Sequence, residues 1–242
     1  MVHATNLTKR YGRLTALHDV SFSIREGEIL GLIGPNGSGK TTLFECLGGV
    51  LPIDGGMVLQ DGRPLTARDR ASSLFYLPDG IAPWPAQTVK WALDFVVGFF
   101  GAARRTSNVD RRTTNDVIRA LDLEPLLDSR IGTLSKGQRK RALLAIGLLT
   151  PQPILLADEP FDGLDLRQTR DVADTLRGHA AAGRTILLSI HQIADAARVC
   201  DRFVLLSGGR VCGEGGFDEL SALAAGRGRP ASNLEEVFLA LT

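Results

Sequence analysis

The chain has 242 residues, 44% of them hydrophobic and 23% charged, enough for one large α/β domain or for a core with a smaller lobe. Its formal net charge of +1 shows no basic excess of the kind that tracks a phosphate backbone, so nucleic acid is not expected as a partner. No apolar run reaches the roughly 18 to 20 residues that cross a bilayer, and the aromatic-rich stretch from Phe95 to Phe100 is far too short.

From the N terminus, apolar and polar residues alternate over Val2 to Tyr11 and Leu17 to Ile24, which predicts antiparallel strands. Glu28 to Ile33 reads as a short buried strand, and Leu43 to Leu47 as part of a helix behind it. Between them lies Gly34-Pro35-Asn36-Gly37-Ser38-Gly39-Lys40-Thr41-Thr42. Its glycines let the backbone turn tightly and aim successive N–H groups at phosphate oxygens. Lys40 then reaches the β and γ phosphates, and the Thr41 hydroxyl joins the shell of Mg²⁺. The helix that starts there adds the positive end of its dipole. This stretch alone predicts a P-loop nucleoside triphosphatase. Breakers at Gly48-Gly49 and Leu51 to Gly56 lead to a short strand, Met57 to Leu59, and Leu74 to Leu77 reads as a buried strand closed by Pro78.

The composition then changes. Pro83, Trp84 and Pro85 precede Thr88 to Phe100, where Val89, Leu93, Val96 and Val97 fall at helical spacing. A polar stretch from Ala102 to Asn115 carries four arginines and leads into a second helical run ending near Leu121. Residues 80–133 are therefore expected to form a helical insertion in a single domain whose α/β body comprises 1–79 and 134–242. Trp84, Trp91 and Phe95 are expected either in the core of that lobe or on a docking face.

Ser135 is placed to cap a helix running through Arg141, Leu144 and Leu148, stopped by Pro151 and Pro153. Several cations sit in its first turns, where the macrodipole disfavours each by about 0.3 to 1 kcal/mol. An anion at the helix start would relieve this, with the Ser135 hydroxyl and the Gly137 N–H as phosphate contacts, while Lys140 reads as a solvated surface lysine. Ile154 to Ala157 is a fully apolar run ending in Asp158-Glu159, as expected of a central parallel strand whose carboxyl end faces a site. Asp158 is expected to hold Mg²⁺, and Glu159 to act as general base on the attacking water. A helix from Leu166 to Ala182 follows, and then the strand Thr185 to Ile190, which delivers His191 to the same edge and within reach of a γ-phosphate. His3, His18 and His179 read as structural. Phe203 to Leu206 and Val211 to Gly213 are further strands, and Ser232 is expected to cap a last helix, Leu234 to Leu241. Cys46, Cys200 and Cys212 are far apart and form no CxxC pair, which predicts free thiols and neither a disulfide framework nor a zinc site.

With these motifs in this order, the chain resembles the nucleotide-binding subunit of an ATP-binding cassette (ABC) transporter over essentially its whole length. Tyr11 resembles the aromatic that stacks on adenine, Gly34 to Thr42 the Walker A loop, and Leu134 to Gln138 the signature, with Ser135, Lys136, Gly137 and Gln138 as contacts across a dimer. Ile154 to Glu159 resembles the Walker B strand with its catalytic glutamate, Gly163-Leu164-Asp165 the D-loop, and His191 the switch histidine. The resemblance implies an α/β P-loop NTPase fold with an antiparallel β subdomain and a helical insertion. It also implies a Mg²⁺-dependent ATPase using Glu159, His191 and Lys40. Two such subunits, identical or not, would meet head to tail around two ATP molecules and drive a separate integral membrane permease from its cytoplasmic face.

Two positions depart from the family pattern. Asp79 stands where glutamine is common, one methylene shorter and charged, which leaves its reach to Mg²⁺ open. Lys136 replaces the usual first glycine of the signature, a variant of type-two exporters, whose carboxyl end Leu234 to Thr242 also resembles. Export is therefore expected. The alternatives are an importer ATPase, an ABC ATPase acting on nucleic acid or ribosomes, and a regulatory nucleotide-binding protein.

Overall fold

The period-two alternation near the N terminus folds as an antiparallel layer, and the continuous apolar runs form a second, mostly parallel one. The computed structural model describes residues 1–103 and 111–242. β1 (Val2–Tyr11) pairs with β2 (Leu14–Ile24), with Leu7 opposite Val20, and on its other side with β4 (Gly55–Gln60), which pairs with the short β5 (Arg63–Pro64). Between β2 and β4 the chain runs through β3 (Ile29–Ile33) and α1 (Lys40–Leu47), so this helix starts at the lysine of the glycine-rich loop.

The short α2 (Ala67–Ser73) leads into β6 (Leu74–Leu77), followed by α3 (Val89–Ala103) and α4 (Arg111–Ala120). Of the polar stretch from Ala102 to Asn115, residues 104–110 lie outside the described residues. The body continues with α5 (Lys136–Leu149), β7 (Ile154–Asp158), α6 (Leu166–Ala181), β8 (Thr185–Ile190), α7 (Ile193–Val199), β9 (Arg202–Ser207), β10 (Arg210–Gly215), α8 (Phe217–Gly226) and α9 (Leu234–Leu241).

The larger sheet has the order β10-β9-β3-β8-β7-β6, parallel except for the edge strand β10. Its central strands are apolar on both faces because both are covered. Ile29 and Ile33 of β3 join the core shared with α5, α6 and α9, whereas Leu30 and Leu32 join the core beneath α1 and the antiparallel sheet. The loops after β3, β7 and β8 therefore open along one carboxyl edge, flanking the point where successive strands diverge. That is where ligands bind in open α/β sheets.

Residues between β6 and α5 contain α3, α4 and two 3₁₀ turns. The two strands of chain that enter and leave this segment are joined by backbone hydrogen bonds. Val89 N donates to Ser129 O at 3.0 Å, Ile131 N to Gln87 O at 2.9 Å and Gly132 N to Pro85 O at 2.9 Å. At the other end of the chain the cap of α9 differs from expectation. Asn233, not Ser232, accepts from the Glu236 N–H at 2.9 Å, and the Ser232 N–H and hydroxyl donate to the Glu236 carboxylate.

Candidate nucleotide site

The glycine-rich loop leaves β3 at Gly34 and enters α1 at Lys40. A Cβ on Gly34 would stand 2.2 Å from the Leu206 carbonyl oxygen and 2.5 Å from Ser38 Oγ, so no other residue fits between β3 and β9 at this point. Pro35, Asn36 and Gly37 form the exposed tip, Ser38 and Lys40 are buried, and Gly39 and Thr42 are half-buried. Lys40 Nζ donates to the carbonyls of Gly34 at 2.8 Å and Pro35 at 3.2 Å, folding the loop around its own ammonium. Burial pushes the Lys40 pKa down, against the opposing pull of the Glu159 and Asp158 carboxylates.

Two further strand ends meet this loop. The Thr41 hydroxyl donates to Asp158 Oδ2 at 3.0 Å, and Ser189 Oγ bonds the other carboxylate oxygen of Asp158. Glu159 follows directly, with its N–H on Ser189 O and Oγ, both at 3.1 Å, and its carboxylate against His191 Nε2. Burial raises the Glu159 pKa; the Asp158 and Asp79 carboxylates add to this, and His191 opposes it. A cavity of about 190 Å³ opens beside Glu159, Ser189 and His191. A larger open groove, about 770 Å³, runs from Thr41 and Asp158 past Glu45, Tyr76 and Asp79.

The residues present fit a bound nucleotide and a hard divalent cation. Ser38 Oγ is buried in the loop with no hydrogen-bond partner, the state of a hydroxyl awaiting an acceptor. The first N–H groups of α1 have no intrahelical acceptor either. Thr41 and Asp158 offer oxygen donors only, the set that magnesium prefers. Tyr11 stands apart at the end of β1, 46% exposed, with Lys9 Nζ 5.7 Å from its ring centroid.

The signature segment forms the start of α5. Ser135 Oγ accepts from Gln138 N at 3.3 Å while Gln138 Oε1 accepts from Ser135 N at 2.9 Å, a reciprocal cap that leaves the serine O–H free to donate. A Cβ on Gly137 would lie 2.5 Å from Gly163 O, so close approach of the next loop requires this glycine. Three of the four cations at the start of this helix, Lys136, Lys140 and Arg141, are compensated within the chain, where a bound anion was expected to relieve them. Lys136 pairs with Asp162, and Arg141 donates to Leu121 O at 2.7 Å and to Asp122. Lys140 is not a solvated lysine; it is buried, paired with Asp79 Oδ1 at 2.6 Å, and donates to the carbonyls of Asp158 and Glu159. Burial disfavours the Asp79 carboxylate, but Lys140 outweighs it and holds the pKa below the usual range.

Sequence reasoning passed over Ser189 and mistook Lys140. A lone serine inside the apolar run Thr185 to Ile190, fully buried, is the signal that could have found the first. The aromatic cluster proves to be surface. Trp84, Trp91, Phe95 and Phe99 are 38%, 38%, 42% and 61% exposed; Trp84 meets Trp91 and Phe95 edge to face, while Phe95 stacks on Trp91 and Phe99, with centroids 5.1 to 5.9 Å apart.

A family model described as ABC transporter matches residues 17–162. The Nod factor export ATP-binding protein I of Burkholderia orbicola (strain AU 1054) is 34% identical over 215 residues, covering 87% of this chain and 69% of that protein. The hemin import ATP-binding protein HmuV of Thermobifida fusca (strain YX) is 36% identical over 217 residues, covering 88% and 75%. Among solved structures, an ATP-binding subunit of an ABC transporter superposes with a TM-score of 0.88 at 28% identity, covering 100% of this chain and 99% of that one. A dimeric ATP-binding cassette in a post-hydrolysis state, bound to ADP and Pi, superposes at 0.76 with 27% identity, covering 89% and 98%.

Proposed function

This chain belongs to the ABC transporter family as an ATP-hydrolysing, ATP-binding subunit, and on that footing we propose that two copies, or this chain and a similar one, close around ATP to drive a membrane permease. The observation that carries the reading is the convergence of the Thr41–Asp158 bond and the Glu159–His191 pair at the ends of β3, β7 and β8. In this reading Gly34 to Thr42 cradles the phosphates, Lys40 turns from its loop carbonyls to the β and γ phosphates, and Tyr11 stacks on adenine. Thr41 and Asp158 hold Mg²⁺, which when bound supplies charge neutralisation for the phosphates. Asp79, the remaining metal candidate, is engaged with Lys140 instead.

Glu159 Oε accepts the proton of the attacking water, and its raised pKa makes it a stronger base than an exposed carboxylate. His191 orients that carboxylate through Nε2 and faces the γ-phosphate. Ser135, Lys136, Gly137 and Gln138 of a second subunit complete the site, with the free Ser135 O–H as one donor. The expected outcome for Glu159→Gln is ATP binding without turnover and a dimer in size-exclusion chromatography with ATP. Turnover, or a monomer at saturating ATP, would overturn the scheme.

The permease docks on residues 80–133, read as a helical subdomain, and the exposed ring stripe from Trp84 to Phe99 is the feature that supports this. Among the described residues no helix is long and apolar enough to cross a membrane. In the proposed reading the chain sits on the cytoplasmic face, held by its permease partner. Export is the direction proposed, from Lys136 in the signature, the ending Leu234 to Thr242 and the Nod factor export relatives. Import is the second reading, favoured by the similarity to the hemin import protein. Mass spectrometry of cells and medium in a Glu159→Gln strain separates the two. Export predicts a compound retained in the cells and missing from the medium, and the reverse pattern would establish import.

A further inference from the structure

The Lys140 ammonium is met by Asp79 Oδ1 at 2.6 Å, the Asp158 carbonyl at 3.1 Å and the Glu159 carbonyl at 2.7 Å. An ammonium has three donors, so all of them are committed. Two of the acceptors are the backbone oxygens of the residues that carry the site's carboxylates. Glu159 has φ 51, a left-handed conformation that costs a non-glycine residue about 1 to 2 kcal/mol. Such a conformation persists only where its surroundings over-determine it. Here Ser189 of β8 holds the Glu159 N–H, while Lys140 of α5 and the Asp162 N–H, at 3.2 Å, hold its carbonyl.

Charge points the same way. Asp79, Glu159 and Asp162 bring carboxylate oxygens within 4.8 Å of one another. Lys140 on Asp79 and Lys136 on Asp162 are the cations that allow three acids to share this space. Asp79 belongs to the segment that leads into the helical insertion, just past β6. It faces Lys140 rather than the Thr41–Asp158 pair.

We propose that Lys140 is a positioning residue for ATP hydrolysis: it fixes the strained backbone that aims Glu159, and Asp79 is its anchor rather than a metal ligand. The inference rests on Glu159 as the general base.

The test uses Lys140→Met, which keeps the stem and removes the ammonium, and Asp79→Ala, at a side chain 37% exposed where truncation leaves the core intact. Lys140→Met should lower kcat about tenfold or more with KM for ATP changed less than about threefold. Asp79→Ala should act in the same direction but less, and the double variant should be no worse than Lys140→Met alone. In the nucleotide-free protein, hydrogen exchange of the amides from Glu159 to Leu164 should quicken in both variants while β3 and β8 stay protected. An unchanged kcat, a loss confined to KM, additive effects, or exchange quickened throughout the molecule would each overturn the proposal. If Lys140→Met fails to fold, Asp79→Ala decides by the same two readouts. Turnover retained in Glu159→Gln would remove the general-base reading, whereas the exchange measurement reports on Lys140 independently of it.

Discussion

His179 of α6 accepts from Arg184 N at 3.1 Å through its carbonyl, and burial pushes its imidazole below the usual 6.5, with the Arg184 charge adding to the effect. The folded value lies below the unfolded one, so the unfolded chain takes up the proton first as pH falls. Stability is therefore intact above 6.5 and declines as pH drops through the lower folded value. Between about pH 7.5 and 5.5, His179→Gln should show a smaller fall in Tm than the parent; equal falls would remove this residue from the account. At this scale the sequence discloses side chains whose role goes with a backbone signal, such as Lys40 in a glycine-rich loop or Glu159 ending an apolar run. It conceals Ser189 and Lys140, because their partners lie far along the chain on other strands and only folding brings them together.

Among the elements, α9 shows how a cap is chosen. Ser232 and Asn233 are adjacent candidates, but Asn233 has the extended backbone, φ −146 and ψ 166, from which a side chain reaches the Glu236 N–H. Asn233→Ala should cost about 1 kcal/mol in urea unfolding. Ser232→Ala loses one bond to an exposed carboxylate and should cost less; the reverse order would reassign the cap. Strands with alternating or continuous apolar patterns were legible, as were the long helices. α2, α7 and α8 were not; the first two, at 7 residues each, are too short for a helical period to emerge. The Thr66–Asp69 capping box was the available sign of α2.

Across the whole molecule, one buried arginine ties the two sheets together. Arg202 of β9 donates to both oxygens of Glu28 at 3.2 Å and to Glu214 of β10 at 2.7 Å, and that same Glu214 oxygen accepts from Ser23 of β2. Removing the cation alone leaves two carboxylates without their partner in a low-dielectric junction. Arg202→Leu should therefore cost about 3 to 5 kcal/mol by urea unfolding. The triple variant with Glu28→Leu and Glu214→Leu should recover much of that loss, since apolar replacement of a whole buried ion network is often neutral. A triple variant weaker than the single one would show that the network supplies more than charge balance.

The backbone pairing between β6 and α5 has a mechanical consequence. Because Val89 bonds to Ser129 and Gly132 to Pro85, the chain enters and leaves this segment through one doubly bonded neck. α3, with 15 residues, is about 22 Å long, and its Val89, Ala92, Leu93 and Val96 are buried in the core that α5 shares. A load applied along α3 is therefore borne by the neck and by α5 together.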